Sequence, residues 1–516
     1  MIQLPKKSIF GLLTSSALLS LLSACSVEPT YNRPDVPTPQ AFKEASAEQK
    51  QASLPKDSAW KNAEPADAEH RGEWWLVFGD PVLNDMERQA AEANQNLKAA
   101  AARVQQSRAL TQSARAGWFP SLDAGFGPTR ERLSPASQLL SDDASGSTQT
   151  LWRAQATASY EVDLFGKVDS QVNTALANQA QNEALYRSVL LALQADVAKN
   201  YFELREYDNQ LRLFRRTVTL RENTLKLVEG RFKEGDISEL DLSRARNELS
   251  TARADSVGIA RLRATSEHSL AVLLGKSPAD FDFPDSPIEP IATQVPIGLP
   301  SALLERRPDI AAAERAMAAA NAQIGLAKSA FFPRLNINAA AGFESSSLGN
   351  LFDWSTRSFL LGPLAGTALT LPIFDGGRRK ADLASARARY DEQVAKYREQ
   401  VLVAFREVED NLADLRLLDD QKGNQSEAVA ASIRTERLSK TQYEEGQISY
   451  LEVIDAQRQV LQTELQLSRL TSTQAIATVS LIRALGGGWD RADAKDCLPN
   501  GRKAVITQPE TALNCS

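Results

Sequence analysis

One ten-residue stretch decides the architecture because it occurs twice: Arg231-Phe232-Lys233-Glu234-Gly235-Asp236-Ile237-Ser238-Glu239-Leu240 returns as Gln442-Tyr443-Glu444-Glu445-Gly446-Gln447-Ile448-Ser449-Tyr450-Leu451. The offset is 442 − 231 = 211 residues. Three further pairs keep the order at nearly the same offset: Gly117-Trp118-Phe119-Pro120-Ser121-Leu122 with Ala330-Phe331-Phe332-Pro333-Arg334-Leu335, Phe165-Gly166 with Phe374-Asp375-Gly376, and Leu274-Gly275 with Leu485-Gly486. These matches indicate an internal duplication into two domain-sized units of about 210 residues.

Each half shows the same order of predicted elements. A helical pattern over 81–116 ends before Pro120, and the polar stretch 134–150 is typical of a loop. Residues 152–163 then alternate strictly between apolar and polar, which predicts a two-faced strand. The second half repeats this with a strand from Leu335, a loop at 345–347 and a closing segment over 359–373. We therefore predict two β-hairpins, over 118–164 and 331–374.

A very long helix is predicted after each hairpin. Residues 167–234 and 378–445 each span 68 positions without proline, and Gly423 is the weak point of the second. Each such helix is about 100 Å long at 1.5 Å per residue. The segments 81–116 and 237–273 hold 36 and 37 residues, so placed end to end they would match one long helix. These lengths predict that the two long helices and two stacked pairs of shorter helices run as parallel columns of equal height.

The composition disfavours several classes of function. Lys and Arg number 59 against 65 Asp and Glu, and this net charge of −6 argues against a nucleic-acid binder. With only 2 histidines and no Cys-x-x-Cys pair, the chain has little material for a metal site or a catalytic triad. We therefore expect no catalytic residue, no metal and no enzyme activity. A lipid-anchored periplasmic enzyme is kept only as an alternative.

The first 25 residues resemble a bacterial lipoprotein signal. Lys6 and Lys7 precede an apolar stretch over 9–22, and Leu22-Ser23-Ala24-Cys25 resembles a lipobox. We expect cleavage before Cys25 and covalent lipid on it, as N-acyl and S-diacylglycerol groups. By resemblance to lipoprotein sorting, Ser26 favours the outer membrane. An ordinary signal peptide, or a short membrane helix with a chance cysteine, is the alternative.

The predicted hairpins imply an assembly of several chains. No other stretch approaches the roughly 20 apolar residues of a spanning helix, so a membrane crossing would use strands. Four strands cannot close a barrel, and membrane barrels begin at about eight strands, so several chains must each contribute four. Aromatic residues near the strand ends fit an interfacial girdle, although the edge of a soluble sandwich is the alternative: Trp118, Phe119, Trp152, Tyr160, Phe331, Phe332 and Phe359.

An ordered set of motifs after Cys25 resembles the TolC-like outer-membrane efflux proteins, in the lipoprotein branch typified by OprM and the NodT group. The motifs are Tyr31-Asn32-Arg33-Pro34, Trp74-Trp75-x-x-Phe78-x-Asp80-Pro81-x-Leu83-Asn84, Leu304-Glu305-Arg306-Arg307-Pro308-Asp309-Ile310, Leu371-Pro372-Ile373-Phe374-Asp375-Gly376-Gly377, Asp455-Ala456-Gln457-Arg458 and Ala484-Leu485-Gly486-Gly487-Gly488-Trp489.

The resemblance implies a mostly α-helical homotrimer. Its twelve-stranded outer-membrane β-barrel would continue into a twelve-helix periplasmic α-barrel, forming the passive exit duct of a tripartite efflux pump. The implied partners are a periplasmic adaptor, or membrane fusion protein, and an inner-membrane resistance-nodulation-division pump. An ATP-driven exporter is the alternative pump, and a structural coiled-coil lipoprotein is the alternative from another class.

The resemblance also assigns roles to residues. The adaptor-docking tips fall on Gly235, Asp236, Ile237 and Ser238, and on Gly446, Gln447, Ile448 and Ser449. These residues also fit simple helix-turn-helix punctuation, with serine as the helix cap. The periplasmic gate candidates are Ile433, Glu436 and Arg437. Arg437 replaces the aspartate frequent in this family. Two arrangements are therefore possible: a ring of guanidinium groups, or an arginine that pairs with Glu436 or Glu444 across chains.

The predicted domain boundaries follow from these features. Residues 1–24 form the signal peptide, 25–79 an extended lipid-anchored strap, 80–290 and 291–489 the two repeats, and 490–516 a polar tail. Cys497 and Cys515 lie in that tail. A compartment that permits disulfides favours a bridge between them, and two unpaired thiols are the alternative.

Overall fold

A computed structural model describes residues 27–39, 41–45, 72–132, 134–135, 141, 148–286, 303–361 and 369–487. Helices account for most of these residues, and a single antiparallel sheet contains the strands. Contacts divide the chain into two compact units. Unit 1 holds the described residues within 1–35, 102–183 and 312–398, and unit 2 holds those within 36–101, 184–311 and 399–516. Each sequence repeat therefore contributes residues to both units.

The first repeat begins with a short 3-10 helix at Trp74–Phe78, followed by helices α1, Pro81–Ala93, and α2, Gln95–Arg115. Strands β1, Ser121–Arg132, and β2, Thr148–Val162, form the first hairpin. Helix α3, Lys167–Lys233, and helix α4, Glu239–Leu273, complete the repeat.

The second repeat begins with one helical turn at Leu303–Arg306, followed by helix α5, Pro308–Ser329. Strand β3, Arg334–Ser345, pairs with two short strands, β4 at Arg357–Leu361 and β5 at Leu369–Thr370. Helix α6, Arg378–Glu444, and helix α7, Tyr450–Ala484, follow. Helices α3 and α6 have 67 residues each and α4 and α7 have 35 each, so the duplication is preserved in element lengths.

The predicted single helix over 81–116 is wrong, because Asn94 interrupts it. Asn94 is extended, with φ −60° and ψ 128°, and its Oδ1 caps α2 by accepting a hydrogen bond from the Leu97 amide at 3.0 Å. Its Nδ2 donates to the carbonyl of Leu273, the last residue of α4, at 2.9 Å. Helix α4 therefore ends at the start of α2, so the predicted end-to-end partner of 237–273 is α2 alone and not the whole of 81–116.

The second repeat builds the equivalent junction with an arginine. The Arg307 side chain donates from Nη1 to the carbonyl of Ala484, the last residue of α7, at 3.1 Å. Its guanidinium also holds Asp309 through two bonds and Glu407 at 2.6 Å. Burial raises the pKa of Asp309, but the bonds from Arg307 outweigh it and leave that pKa below its usual value. An asparagine in one repeat and an arginine in the other thus donate hydrogen bonds to the last carbonyl of a helix, which has no partner within the helix itself.

Left-handed glycines permit the close approach at both junctions. Gly275 has φ +68° and Gly486 φ +86°. A Cβ on Gly275 would lie 2.6 Å from the Ala93 carbonyl oxygen, and one on Gly486 would lie 3.0 Å from that of Arg306. The paired Leu-Gly motifs of the sequence therefore end α4 and α7 where each helix meets backbone.

The sheet has the order β1-β2-β3-β4, with β5 also on β3, and every pairing is antiparallel. The central pairing joins the two repeats, with Trp152 opposite Ser345 and Val162 opposite Leu335. Strand β1 on one side, and β4 with β5 on the other, have one described neighbour each. Strands β4 and β5 lie on the same side of β3 and fill one strand position, so the sheet has four strand positions and two unpaired edges among the described residues.

The register gives this sheet one apolar and one polar face. Residues that pair across strands share a face, and alternate residues share a face along each strand. The apolar face includes an aromatic pair, Phe126 and Trp152, whose rings are 6.1 Å apart, while Arg153 and Glu344 form a 3.0 Å ion pair on the polar face. Many apolar-face side chains are exposed, including Leu122, Phe126 and Phe359 at 76%, 64% and 74%. This sheet therefore differs from the sheets of soluble proteins, in which the apolar face is packed in a core and the solvated face is polar.

The predicted girdle aromatics are spread along the strands and their approaches. Trp152 and Tyr160 lie in β2 and Phe359 in β4, whereas Trp118, Phe119, Phe331 and Phe332 precede β1 and β3.

The core of unit 2 is built around the Trp74-Trp75 motif. The two indoles meet edge to face at 5.8 Å, and Phe78 continues the cluster to Phe202 of α3 at 5.1 Å. The N-terminal strap reaches this core with Phe42, which is 2% exposed. In unit 1 the strap is held by Tyr31, whose hydroxyl donates to Glu314 of α5 at 2.5 Å. The described segments of the strap around Tyr31 and Phe42 therefore pack against the helices of their own units.

Candidate docking tips and gate region

The turn between α3 and α4 ends the long helix with a left-handed glycine. Gly235 has φ +80°, its amide donates to the Phe232 carbonyl at 3.1 Å, and the Asp236 amide donates to the Arg231 carbonyl at 2.9 Å. This pair of bonds is the Schellman arrangement, which satisfies the last carbonyls of a helix.

The turn between α6 and α7 repeats this geometry. Gly446 has φ +76°, its amide donates to the Tyr443 carbonyl at 3.0 Å, and the Gln447 amide donates to the Gln442 carbonyl at 2.8 Å. The duplicated ten-residue stretch therefore encodes one turn twice.

The two serines of the turns differ in their capping bonds. Ser238 Oγ accepts a hydrogen bond from the Asp241 amide at 3.4 Å and caps α4. Ser449 has the same extended backbone but makes no side-chain capping bond. Both serines are exposed, so each presents its side chain at the surface of the turn.

A small apolar cluster in unit 2 joins the two turns. Val228 of α3, Leu242 of α4 and Ile454 of α7 belong to it, with Ile237 and Ile448 of the turns packed against it. Arg231 Nη1 donates to the Tyr443 hydroxyl at 3.0 Å. The turns therefore form one surface rather than two separate ones.

A buried charge network lies further along the same helices. Glu248 of α4 sits between two guanidinium groups, with Arg221 Nη2 of α3 at 3.5 Å and Arg458 Nε of α7 at 3.2 Å. Arg221 also donates to Gln457 Oε1 at 2.6 Å. Arg221 and Glu248 side chains are 3% and 9% exposed, so the attraction is poorly screened by water. Hydrogen bonding to Glu248 raises the pKa of Arg458.

The gate candidates lie beside this network. Ile433 and Glu436 line a cavity of about 210 Å³ together with Arg216, Arg221 and Gln457. Arg437 is exposed, and its side chain has no ion pair within the described part of this chain. Whether Arg437 pairs across chains stays a prediction.

Sequence reasoning missed Arg221 and Glu248. Gln457 and Arg458 belong to a motif noted above, but nothing in the spacing of Arg221 or Glu248 separates them from surface charges of a helix. Their pairing depends on the packing of three helices. Cys25, Cys497 and Cys515 lie outside the described residues, so lipid attachment and the disulfide also stay predictions.

The described residues contain no candidate metal site and no candidate membrane-spanning helix. No group of three or more His, Cys, Asp or Glu there could hold a metal ion. No helix in the described ranges combines the length and apolar character required to cross a membrane.

A family model described as "Outer membrane efflux protein" matches residues 87–276 and 299–487. The chain belongs to this family. The two matched segments coincide with the two repeats of this outer membrane efflux protein. The predicted family and the predicted function as an outer-membrane efflux channel are confirmed.

Curated relatives of this outer membrane efflux protein extend over nearly its whole length. It is 35% identical over 97% of the chain to the toluene efflux pump outer membrane protein TtgF of Pseudomonas putida, covering 99% of that protein. It is 34% identical over 94% of the chain to the outer membrane protein OprJ of Pseudomonas aeruginosa, covering 97% of it.

Solved structures show the same fold. The outer-membrane channel OprN matches with a TM-score of 0.78 and 27% identity, over 90% of this chain and all of the other. The open state of the Neisseria gonorrhoeae MtrE outer membrane channel matches with a TM-score of 0.74 and 29% identity, over 90% of this chain and 99% of the other. This outer membrane efflux protein is therefore a mostly helical outer-membrane channel with a β-sheet, and its location in the outer membrane is confirmed.

Proposed function

We propose that three copies of this chain form the passive exit duct of a tripartite efflux system. Three four-stranded sheets would close a twelve-stranded barrel in the outer membrane, and the helices would continue the passage through the periplasm as a twelve-helix barrel. The single observation that supports this most strongly is the sheet, with its apolar face, polar face and two unpaired edges.

The two unpaired edges require partners if the sheet lies in lipid. Backbone groups have no water to bond in the hydrocarbon region, so an open edge there is costly. Pairing β1 of one copy with β4 of the next would satisfy both edges. The exposed apolar face would then contact lipid, and the polar face, with the Arg153–Glu344 pair, would line water.

The joined turns are the proposed docking surface for a periplasmic adaptor. Gly235, Asp236, Ile237 and Ser238 lie beside Gly446, Gln447, Ile448 and Ser449 through a shared apolar cluster. The adaptor would connect the duct to an inner-membrane resistance-nodulation-division pump, which would supply the energy. An ATP-driven exporter is the alternative source.

We propose that the passage is gated near Ile433, Glu436 and Arg437. The Arg221–Glu248–Arg458 network, in which Arg221 and Glu248 are buried, ties α3 and α4 to α7 beside these residues. Docking at the turns would open the passage by separating those helices.

Two further assignments follow from sequence and relatives. Covalent lipid on Cys25 would hold the N-terminus at the membrane. Relatives are named for toluene, solvent and antibiotic efflux, which supports small organic molecules as cargo.

Site-specific photo-crosslinking in cells tests this function. A photoreactive amino acid replaces Ser238 or Ser449, and captured proteins are identified by mass spectrometry. Replacement of Ser426, an exposed serine of α6 away from the turns, is the matched control. We expect the turn positions, and not the control, to capture a periplasmic adaptor and its pump.

Capture of cell-wall components alone, in cells that express the pump, would contradict adaptor docking. It would favour the structural lipoprotein instead.

A further inference from the structure

A cavity of about 460 Å³ lies in unit 1. It is bounded by the start of α3, the end of α5 and the first residues of β3 and α6. Its volume falls in the range of small-molecule sites, roughly 300–1,000 Å³. Three of its lining residues are cationic, Lys167, Arg334 and Arg389, and one is acidic, Asp382. The lining therefore carries an excess of positive charge.

Neither arginine forms an ion pair among the described residues, and the acidic neighbour of Arg389, Glu392, is paired with Lys396. Lys167 is bound to Glu161, with Nζ–O distances of 2.9 and 2.6 Å. Arg389 donates from Nη1 to the neutral Gln323 Oε1 at 3.2 Å, and Arg334 is exposed with no hydrogen bond or ion pair among the described residues. Two guanidinium groups thus remain available for an anion, and a carboxylate matches their geometry.

The lining also contains three neutral polar residues and an apolar part; the polar ones are Gln323, Ser329 and Ser385. Leu326 and Ala327 of α5, Ala330 just after that helix, and Ala386 of α6 form the apolar part. A ligand that satisfies the cationic and the apolar parts of the lining carries an anionic group on a compact apolar body.

The cavity lies on the side of the polar face of the sheet. Arg334 alternates in register with Glu344, which pairs with Arg153 on that face. On α5, Gln323 and Leu326 lie roughly opposite to Asn321, whose amide donates to the Pro29 carbonyl of the strap at 2.8 Å. The strap and the cavity therefore occupy opposite sides of α5.

We propose that this cavity is a binding site for small amphiphilic carboxylates in the wall of the duct. The carboxylate bonds to Arg334 and Arg389, and the apolar body contacts α5. This assignment rests on the proposed function, because the polar face lines the passage only if the chains close a barrel. Three copies would place three such sites around one ring.

Equilibrium dialysis of the purified full-length protein in detergent, with radiolabelled benzoate as the probe, tests the site. We expect saturable binding that weakens by about tenfold or more in the double variant Arg334→Gln/Arg389→Gln, because charge-assisted hydrogen bonds are lost. Arg387→Gln is the matched control, since Arg387 is an exposed arginine of α6 outside the cavity. Neutral benzyl alcohol should not compete.

Absence of saturable benzoate binding would overturn the proposal. Equal displacement by inorganic phosphate would overturn it too, because a site for amphiphiles prefers the apolar body. Single-channel conductance of the same preparations tests the duct separately. If the protein conducts but does not bind benzoate, only the binding-site proposal is rejected. If it binds benzoate but does not conduct, the proposed duct is rejected and the binding site remains.

Discussion

Glu87 is the most unusual single residue of the chain. It is fully buried in α1, and neither carboxylate oxygen has a hydrogen-bond partner among the described residues. Burial raises the pKa of Glu87 well above its ordinary value. The side chain is therefore held in its neutral form under conditions that ionise an exposed glutamate.

The variant Glu87→Gln should raise the thermal unfolding temperature near neutral pH. The folded chain keeps a proton that the unfolded chain releases there, so stability falls as the pH rises above the ordinary glutamate pKa. Glutamine removes this dependence. Thermal unfolding at about pH 7.5 and about pH 4 should show a gain at the higher pH that nearly vanishes at the lower. Glu92→Gln, an exposed position of the same helix, is the control, and an equal gain at both pH values would contradict this account.

Element lengths could be predicted from the sequence where the determinants are local. The predicted 68-residue helices end within one residue of α3 and α6, because no proline interrupts them and a glycine follows each. The break at Asn94 could not be predicted in this way. Its cause is the carbonyl of Leu273, 179 positions further along the chain. The charge network of Arg221 and Glu248 escaped prediction for the same reason.

Gly423 of the second long helix and Gly446 of the turn after it should respond oppositely to alanine. Gly446 is left-handed, so Gly446→Ala should destabilise the turn by about 1 kcal/mol. Gly423 lies within α6 with open space around it, so Gly423→Ala should stabilise the helix by up to about 1 kcal/mol. Hydrogen exchange of peptides from the turn reports the first effect, and slower exchange there in Gly446→Ala would refute the assigned backbone strain.

Loosening the buried charge network should open the gate. Glu248→Gln leaves Arg221 buried without its anion, at a cost of roughly 3 kcal/mol. We expect a severalfold larger mean single-channel conductance. The control is Arg253→Gln, which breaks an ion pair of 2.7 Å between the same two helices, α3 and α4, at an exposed site. Unchanged conductance in Glu248→Gln, or an equal increase in both variants, would remove the network from the gate.

At the scale of the whole molecule, the sequence predicted two hairpins and the need for several chains. It did not predict the register that sets Val162 opposite Leu335 and joins the repeats in one sheet, because that pairing depends on residues 173 positions apart, 335 − 162. Nor did it predict that β4 and β5 are short.

Disulfide trapping should show β1 of one copy beside β4 of another. Phe359→Cys is combined in turn with Leu122→Cys, Ala124→Cys or Phe126→Cys, in a background with serine at Cys497 and Cys515. We expect at least one pair to give covalent dimers and trimers on denaturing gels. In the control pair, Gly125→Cys with Gln155→Cys, the two positions lie opposite each other in the same chain. Their disulfide should therefore form while the protein still runs as a monomer on the gel. A bridged control with monomers from all three test pairs would contradict barrel closure between chains.

If copies pair edge to edge as proposed, the unpaired edges of the sheet also set the order in which the protein matures. Helices satisfy their own backbone bonds, so α1 to α7 can form in a lone copy, whereas the twelve residues of β1 would keep an open edge until a second copy binds. Until then, each copy would expose a strand edge that can pair with a wrong chain. Because association depends on concentration, low expression would prolong the lifetime of these exposed edges.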